Sequence, residues 1–219
     1  MTVITPGLAW IPDVPTPSEE EIDFLLGVVA SAFPVPPTRA DVVGAFAGLR
    51  PLLEVEGTDE SADLSRRHAI LISATGVTTV VGGKLTTYRR MAEDAVDALG
   101  LTTNPCRTAS LPLLGAGLVR SSTPPDRLTR RFGTDADLVV TTAREITGLS
   151  DDELLAPASD DVPVTLAELV FAITHEGAHD VDDLLDRRTR VGLVAQDRAV
   201  ATPLAERALA LTATHRAVT

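Results

Sequence analysis

The sequence contains a single lysine, Lys84, among its 19 basic residues. A lysine ammonium is a compact charge that loses its proton when desolvated, whereas a guanidinium is a planar fork that stays charged. Lys84 follows Gly82 and Gly83, which come directly after the β-branched run 77–81. A strand–Gly–Gly–helix turn directs backbone N–H groups toward one place, which favours an oxygen-rich or anionic ligand. Such a turn is also a common connection without a ligand. Evidence from other segments is therefore needed to choose between a binding turn and a simple connection.

A second candidate site is the H-E-x-x-H pattern that runs from His175 to His179. On one continuous helix, two histidines one turn apart can bind zinc, and Glu176 between them can act as a base. Gly177 weakens such a helix, no H-x-x-G-x-x-H continuation follows, and the acids Asp180, Asp182, Asp183 and Asp186 lie too close to serve as the usual distant third ligand. The pattern leaves two hypotheses, a zinc-dependent hydrolase and a structural helix end, and we favour the second.

Composition limits the class of protein. An apolar content of 44% with only 3% aromatic residues predicts a globular chain with an aliphatic core. The net charge of −12 repels a phosphate backbone, so no nucleic-acid partner is expected. A single cysteine, Cys106, excludes an internal disulfide and fits a reducing compartment. We find neither a signal peptide nor a run long enough to cross a bilayer, which predicts a cytoplasmic protein.

Residues 18–100 mix helix and strand. A capping box that begins at Ser18 predicts a helix to about residue 32. Residues 66–73 and the β-branched run 77–81 predict a hairpin around a short glycine-containing loop. Apolar residues at helical spacing then predict a helix that ends at Gly100. This half of the sequence therefore predicts a small antiparallel sheet packed with helices.

An alternation of period two over residues 41–53 predicts a further strand. Gly44 and Gly48 remove side chains from one face of it, beside Arg50. Two interpretations follow: a ligand approaches the backbone there, or the glycines mark a bulge or a close packing contact.

The second half of the sequence predicts only helices after a linker over 101–124. The predicted helices lie at about 125–132, 135–147, 165–177, 180–190 and 196–213. Within them, acids and arginines alternate densely over 182–190. We interpret this run as a helix face with ion pairs three and four residues apart, and a binding site for anions is the alternative.

Three segments in a fixed order carry a resemblance to a known family. They are Ala47-Gly48-Leu49-Arg50-Pro51-Leu52, Leu64-Ser65-Arg66-Arg67-His68 and Gly82-Gly83-Lys84-Leu85-Thr86-Thr87-Tyr88-Arg89. Together they resemble the C-terminal part of the FAD-dependent glycerol-3-phosphate dehydrogenases, flavoenzymes that pass electrons to respiratory quinone. The resemblance runs from about residue 12 to about residue 205. It includes the stretch from Glu176 to Arg190, which is similar to a signature of that family's helical domain, and it argues against zinc.

The resemblance implies an α+β fold. A partial antiparallel sheet over residues 1–103 is expected as the remnant of the FAD-dependent oxidoreductase domain, in contact with flavin and substrate. A small all-α C-terminal domain of the family is expected over residues 104–219.

The resemblance also implies roles for individual residues. Arg50 and Arg66 are the candidates for binding the substrate phosphate, since a dianionic phosphate favours forked donors. Lys84 is the candidate catalytic residue, in a cleft where a cation stabilises charge that develops on the reduced flavin or the substrate oxygen. The expected FAD contacts are Gly82, Gly83, Lys84, Leu85 and Thr86, and no metal is implied.

The implied reaction oxidises sn-glycerol 3-phosphate to dihydroxyacetone phosphate and passes a hydride from C2 to FAD, with quinone as the final acceptor. No G-x-G-x-x-G follows a strand, so the turn that holds the FAD pyrophosphate is absent from this sequence. We therefore expect the chain to be inactive alone, in the cytoplasm or at the inner face of the membrane. A separate chain with the FAD-binding half, a truncation, a gene remnant and a non-catalytic interaction module stay open as interpretations.

Overall fold

A computed structural model of the chain describes residues 12–49, 68–101, 104–117 and 126–216, with the backbone alone for 126 and 214–216. The described residues divide into two compact units. The hairpin unit contains residues 12–16, 47–49, 68–101 and 104–111, and the helical unit contains residues 17–46, 112–117 and 126–216. The predicted domain boundary between residues 103 and 104 stays a prediction.

The described residues form helices, one antiparallel pair of strands and several short turns. In chain order the helices and strands are α1 (Glu19–Ala30), β1 (His68–Ile72), β2 (Thr78–Gly82), α2 (Tyr88–Ala98), α3 (Asp126–Phe132), α4 (Ala136–Thr147), α5 (Asp151–Leu155), α6 (Leu166–His175) and α7 (Ala195–Arg216). Turns of 3₁₀ helix lie at Arg39–Asp41, Leu85–Thr87, Gly133–Asp135 and Val191–Leu193, and a π-helix lies at Asp183–Arg188. The predicted α+β fold is confirmed. No helix in these ranges has the length and apolarity needed to cross a membrane.

The hairpin unit pairs β1 with β2 in antiparallel register, with His68 opposite Gly82. The connecting turn closes where the Ser73 N–H donates to the Val77 carbonyl at 2.9 Å, and Gly76 supplies the positive φ of 84° that the turn needs. Helix α2 then ends at a glycine of positive φ, as predicted. The predicted hairpin and the helix after it are both confirmed.

The core of the helical unit is aliphatic, as the composition predicts. Helices α4, α6 and α7 pack together and bury small and branched side chains between them. The fully buried apolar side chains include Leu128, Val139, Leu154, Val164, Leu166, Leu169, Val170, Leu184, Leu185, Ala201 and Ala205. Burial of such side chains is worth about 1.5–3 kcal/mol for each valine or leucine. The helices predicted after residue 125 are therefore held mainly by this packing.

A carboxylate lies inside this core at the start of α6. Glu168 is fully buried, and its Oε2 accepts the Thr165 N–H at 3.0 Å, which completes the predicted capping box. The same carboxylate forms ion pairs with Arg127 Nε at 3.0 Å and with Arg131 Nη1 at 3.0 Å. Two guanidinium groups from α3 thus satisfy a charge that burial alone would penalise strongly.

Helix α1 begins at the predicted capping box, where the Glu21 N–H donates to Ser18 Oγ at 3.2 Å. Arg39 reaches back to this helix, with Nε 2.7 Å from Asp23 Oδ1 and a second ion pair to Glu19. The hydrogen bond from Arg39 holds the pKa of Asp23 below its usual value. Both helix and capping box are confirmed.

The strand predicted over 41–53 is wrong for its described part. Residues 42–49 have no regular secondary structure, and residues 50–53 lie outside the described ranges. Val42 is extended, with φ −80° and ψ 106°, but no strand pairs with residues 42–49 in the described ranges, so the period of two does not correspond to a strand there. A side chain on Gly44 would collide with the Leu193 carbonyl, whereas Gly48 faces open space. The close packing contact is therefore at Gly44.

The helix predicted over 180–190 is a π-helix in its central part. The Thr189 N–H donates to the carbonyl of Leu184, five residues earlier, at 3.0 Å. The predicted ion pairs are present in this segment: Arg187 Nη1 lies 2.9 Å from Asp183 Oδ1, one helical turn away. Helix α5 was not predicted.

Candidate functional site

The candidate site begins where β2 ends, at two consecutive glycines. Gly82 and Gly83 both have φ of 81°, a conformation that side chains rarely adopt. Gly83 also packs so closely on Met91 and His68 that a Cβ would collide with the Met91 sulfur. The chain leaves the hairpin through a turn that requires glycine for its backbone angles and, at Gly83, for space.

Lys84 follows with its main chain fixed and its side chain free to reach a ligand. Its N–H donates to Thr87 Oγ1 at 3.1 Å, and the Thr87 hydroxyl donates back to the Lys84 carbonyl at 2.9 Å. The side chain is exposed and has no acidic partner in the described part of the chain. A backbone held in both directions therefore presents the single lysine at a defined place on the hairpin unit.

One ion pair joins the elements on the two sides of the turn, and two more lie within α2. His68 Nε2 lies 2.9 Å from Asp94 Oδ2, which joins β1 to α2. Asp94 also pairs with Arg90 Nε at 2.9 Å, and Arg89 Nη1 pairs with Glu93 at 2.9 Å. The contact between His68 and Asp94 joins α2 to the hairpin, the other two pairs lie within α2, and the turn with Lys84 connects the two elements in the chain.

The predicted site residues fall into two groups. Gly82, Gly83, Lys84, Leu85 and Thr86 form one continuous turn, and Leu85 is 88% exposed although it is apolar. Arg50 and Arg66 lie outside the described residues. Their contact with the substrate phosphate, like the contacts of the turn with FAD, stays a prediction.

Replacing Gly83 with alanine is expected to destabilise the hairpin unit more than replacing Gly76. The positive φ costs roughly 1–2 kcal/mol in either variant. Only Gly83→Ala adds a collision, which the Met91 side chain must shift to relieve, because Gly76 has no atom within 4 Å of the added carbon. Urea titration of the full chain by circular dichroism compares the two, and equal losses in free energy of unfolding would contradict the close packing at Gly83.

The H-E-x-x-H pattern does not lie on one helix. Helix α6 ends at His175, whose ring stacks on Phe171 with centroids 4.4 Å apart. The chain then turns at Gly177, with φ of 68°. The helical spacing that a zinc site needs is therefore broken between the two histidines. In the described ranges, no group of three potential metal-binding side chains is present.

The glutamate of this pattern instead joins two parts of the helical unit. Glu176 Oε2 pairs with Arg131 Nη2 at 3.3 Å, and its carbonyl accepts Arg188 Nε at 2.7 Å. Arg131 Nη2 also donates to the Arg188 carbonyl at 3.0 Å. The stretch from Glu176 to Arg190 that resembles a family signature is thus connected to α3 by hydrogen bonds and an ion pair. Sequence patterns gave no sign of Arg131, which lies 45 residues away from Glu176.

Asp183 caps the segment that follows this turn. Its Oδ2 accepts the His179 N–H at 2.9 Å, and this bond holds the pKa of Asp183 below its usual value. A carboxylate with a lowered folded-state pKa stabilises the fold above its unfolded pKa of about 4, and the contribution disappears as the pH falls through the folded value.

We therefore expect Asp183→Asn to lower the melting temperature at neutral pH, with a difference from the parent that shrinks below about pH 4. Asp161→Asn, at an exposed loop position, is the matched control and is expected to change little. Melting curves across this pH range measure both. A difference for Asp183→Asn that is independent of pH would contradict the ionic role of the cap.

Comparison with known proteins assigns the family. A family profile described as the C-terminal domain of alpha-glycerophosphate oxidase matches residues 106–216. The chain belongs to this family. The resemblance recognised in the sequence, to the C-terminal portion of glycerol-3-phosphate dehydrogenases, is thereby confirmed.

Three relatives show how much of a longer protein the chain matches. Glycerol-3-phosphate dehydrogenase 1 of Mycobacterium tuberculosis is 46% identical over 201 residues, which covers 86% of this chain and 38% of the relative. Glycerol-3-phosphate dehydrogenase 2 of the same species is 34% identical, over 85% of this chain and 34% of the relative. The mitochondrial glycerol-3-phosphate dehydrogenase of Schizosaccharomyces pombe is 33% identical, over 88% of this chain and 37% of the relative. The chain spans little more than a third of their length.

Proposed function

We propose that this chain is the C-terminal part of an FAD-dependent glycerol-3-phosphate dehydrogenase and supplies one wall of its active site. The observation that carries the proposal is the turn from Gly82 to Lys84. Two glycines of φ 81° give the turn its backbone course, and an exposed lysine without an acidic partner in the described ranges follows. Family membership gives this turn its context, because the relatives are glycerol-3-phosphate dehydrogenases.

The turn fits a flat, electron-accepting cofactor. The positive φ of Gly82 and Gly83 sets the direction in which the chain leaves β2, and Leu85, 88% exposed, offers apolar surface beside Lys84 on which a ring system can lie. When bound, FAD accepts the hydride that leaves C2 of the substrate. The contribution of Lys84 is a positive charge on a side chain whose main chain is held in place, and this charge stabilises negative charge that develops on the substrate oxygen or on the reduced flavin.

The substrate phosphate is assigned to Arg50 and Arg66. A guanidinium offers forked donors that match phosphate oxygens, and such charge-assisted bonds are stronger than neutral ones. Lys84 then faces the reacting end of the substrate. A compact ammonium suits this role better than a broad guanidinium fork.

Activity requires residues outside this sequence. The G-x-G-x-x-G turn that holds the FAD pyrophosphate does not occur in the sequence. We propose that the FAD-binding half, on the same or a separate polypeptide, completes the site. We also propose that quinone accepts the electrons from the reduced flavin and that the complete enzyme attaches to the membrane surface.

A chimera tests this function. The N-terminal portion of the 46% identical mycobacterial relative is fused to residues 12–219 of this chain. We expect the chimera to retain FAD and to reduce an artificial electron acceptor only when sn-glycerol 3-phosphate is present. When the 219-residue chain alone is titrated with FAD, we expect no stoichiometric binding of FAD. A flavin-loaded, folded chimera without activity would contradict the assignment, and tight FAD binding with turnover by the chain alone would contradict the need for another half.

A further inference from the structure

The turn that carries Lys84 contacts both β1 and α2. His68, the first residue of β1, pairs with Gly82 across the hairpin. A Cβ added to Gly83 would lie 3.3 Å from the His68 Cβ and would collide with the sulfur of Met91 on α2. The residue immediately before Lys84 therefore packs against the strand and against the helix.

One polar contact between side chains connects β1 to α2 beside this turn. His68 Nε2 lies 2.9 Å from Asp94 Oδ2, although the two residues are 26 positions apart in the chain. Their side chains are only 21% and 27% exposed, so salt screens this contact less than it screens a fully exposed pair. Arg90 Nε, 2.9 Å from Asp94 Oδ1, holds the carboxylate from within α2. The other ion pairs in the described part of the hairpin unit lie within α2.

Apolar packing gives the hairpin unit little other support. None of its described residues is buried, and the fully buried side chains named above belong to the helical unit. Two strands are marginally stable by themselves, and a helix of 11 residues is marginal in water without a packing partner. The contact between His68 and Asp94 therefore has a large influence on where α2 lies against the hairpin.

The main chain of Lys84 is tied to both elements. Its N–H donates to Thr87 Oγ1 at 3.1 Å, and Thr87 directly precedes α2. On the other side, Lys84 follows Gly83, which packs against His68 of β1. A shift of α2 relative to β1 therefore moves the point from which the lysine side chain starts.

We propose that His68 and Asp94 are positioning residues for Lys84. Their contact fixes the distance between β1 and α2, and this distance sets the direction in which the turn presents the ammonium group. Neither residue has to touch flavin or substrate in this role. A displaced ammonium stabilises developing negative charge less well, so loss of the contact acts on the rate of the reaction. This inference rests on the proposed function, which assigns Lys84 to the reacting end of the substrate.

The first test follows the turn in the full chain, without flavin or substrate. Because Lys84 is the single lysine, protein grown with isotope-labelled lysine gives one backbone amide signal in a nitrogen–proton correlation spectrum. The exchange rate of this amide proton with water tracks the population in which its bond to Thr87 is open. We expect Asp94→Ala and His68→Leu to raise this rate about tenfold, the effect of losing a hydrogen bond to a charged group.

Two controls separate this contact from general effects. Asp97→Ala makes the same change at an exposed position of α2, three residues later, and is expected to leave the exchange rate unchanged. His68→Gln keeps a side-chain N–H that reaches the carboxylate, and is expected to hold the rate within about twofold of the parent. Melting curves by circular dichroism check that every variant keeps its helices. Equal exchange rates for Asp94→Ala and Asp97→Ala would overturn the proposal.

The second test uses the chimera. His68→Leu is expected to lower kcat about tenfold, to change KM less than about twofold and to leave the flavin content unchanged, and His68→Gln is expected to keep kcat near that of the parent. In a chimera that already carries Lys84→Met, His68→Leu is expected to have no further effect on kcat, because it acts through the lysine.

Two outcomes in the chimera would overturn the positioning role. One is a kcat for His68→Leu equal to that of an active parent chimera, and the other is an equal loss of kcat with and without Lys84. An inactive parent chimera would contradict the proposed function instead, while the amide exchange rate of Lys84 still decides whether His68 and Asp94 hold the turn.

Discussion

Replacing Glu168 with alanine is expected to lower the free energy of unfolding of the helical unit by about 3–5 kcal/mol. The variant leaves Arg127 and Arg131 without the buried carboxylate they both contact, at 3.0 Å each. It also removes the side chain that accepts the Thr165 N–H at the start of α6. Three groups lose a charged partner in one substitution, so the effect is expected to be as large as that of truncating a large core side chain. Urea titration followed by circular dichroism measures it.

The matched control is Glu206→Ala. Glu206 also lies on a helix, but it is exposed. Its replacement is expected to change the free energy of unfolding by less than about 0.5 kcal/mol. A loss for Glu168→Ala as small as that of the control would contradict the view that the buried carboxylate organises α3 and α6.

Replacing Lys84 with methionine is expected to lower the kcat of the chimera by about 100- to 1,000-fold, the usual consequence of removing one group that stabilises developing charge. Methionine keeps much of the aliphatic length and removes the ammonium. The side chain is exposed, and the hydrogen bonds of this residue come from its main chain, so stability is expected to stay unchanged. Steady-state kinetics and a melting curve on the same preparation separate the two effects.

Two further variants define what Lys84 contributes. Lys84→Arg restores a positive charge as a broad fork, so we expect activity between that of the parent and that of Lys84→Met. Arg107→Met removes an exposed cation from the same unit and is expected to leave kcat unchanged. Full activity in Lys84→Met would show that the lysine has no role in the reaction.

Helices were predictable wherever a local hydrogen-bond pattern begins them. The capping boxes at Ser18 and Thr165 each place a helix start correctly. The same pattern exists at Ser150, whose N–H bonds to Glu153 at 3.2 Å, and it indicates α5, which the sequence analysis did not predict. Such patterns involve residues three positions apart, so the sequence contains all the information they need.

The strand prediction over 41–53 shows the opposite case. Alternation indicates an extended chain, but a strand also needs a neighbour, and a pattern in one segment does not identify that neighbour. Here the contact of Gly44 is with the Leu193 backbone, about 150 residues later in the chain. The two glycines looked equivalent in the sequence, and only the structure separates Gly44 from Gly48.

The candidate site, too, has parts that the sequence predicts and contacts that it does not predict. The Gly82–Lys84 turn was predictable because a strand, two glycines and a helix start are adjacent in the chain. The partners of Glu168 were not predictable, because Arg127 and Arg131 lie 41 and 37 residues away. The zinc hypothesis failed on geometry. The sequence matches the H-E-x-x-H motif, but the helix ends at His175 and Gly177 takes a positive φ, so the two histidines do not lie on one helix.

The most direct test of the central claim is a single-turnover experiment on the chimera. The flavin-loaded protein is mixed with sn-glycerol 3-phosphate in the absence of oxygen and of any other acceptor, and its visible absorption is recorded. We expect the absorption of oxidised flavin to disappear and dihydroxyacetone phosphate to form in proportion to the flavin reduced. A spectrum that stays oxidised at saturating substrate, in a folded and flavin-loaded chimera, would contradict it.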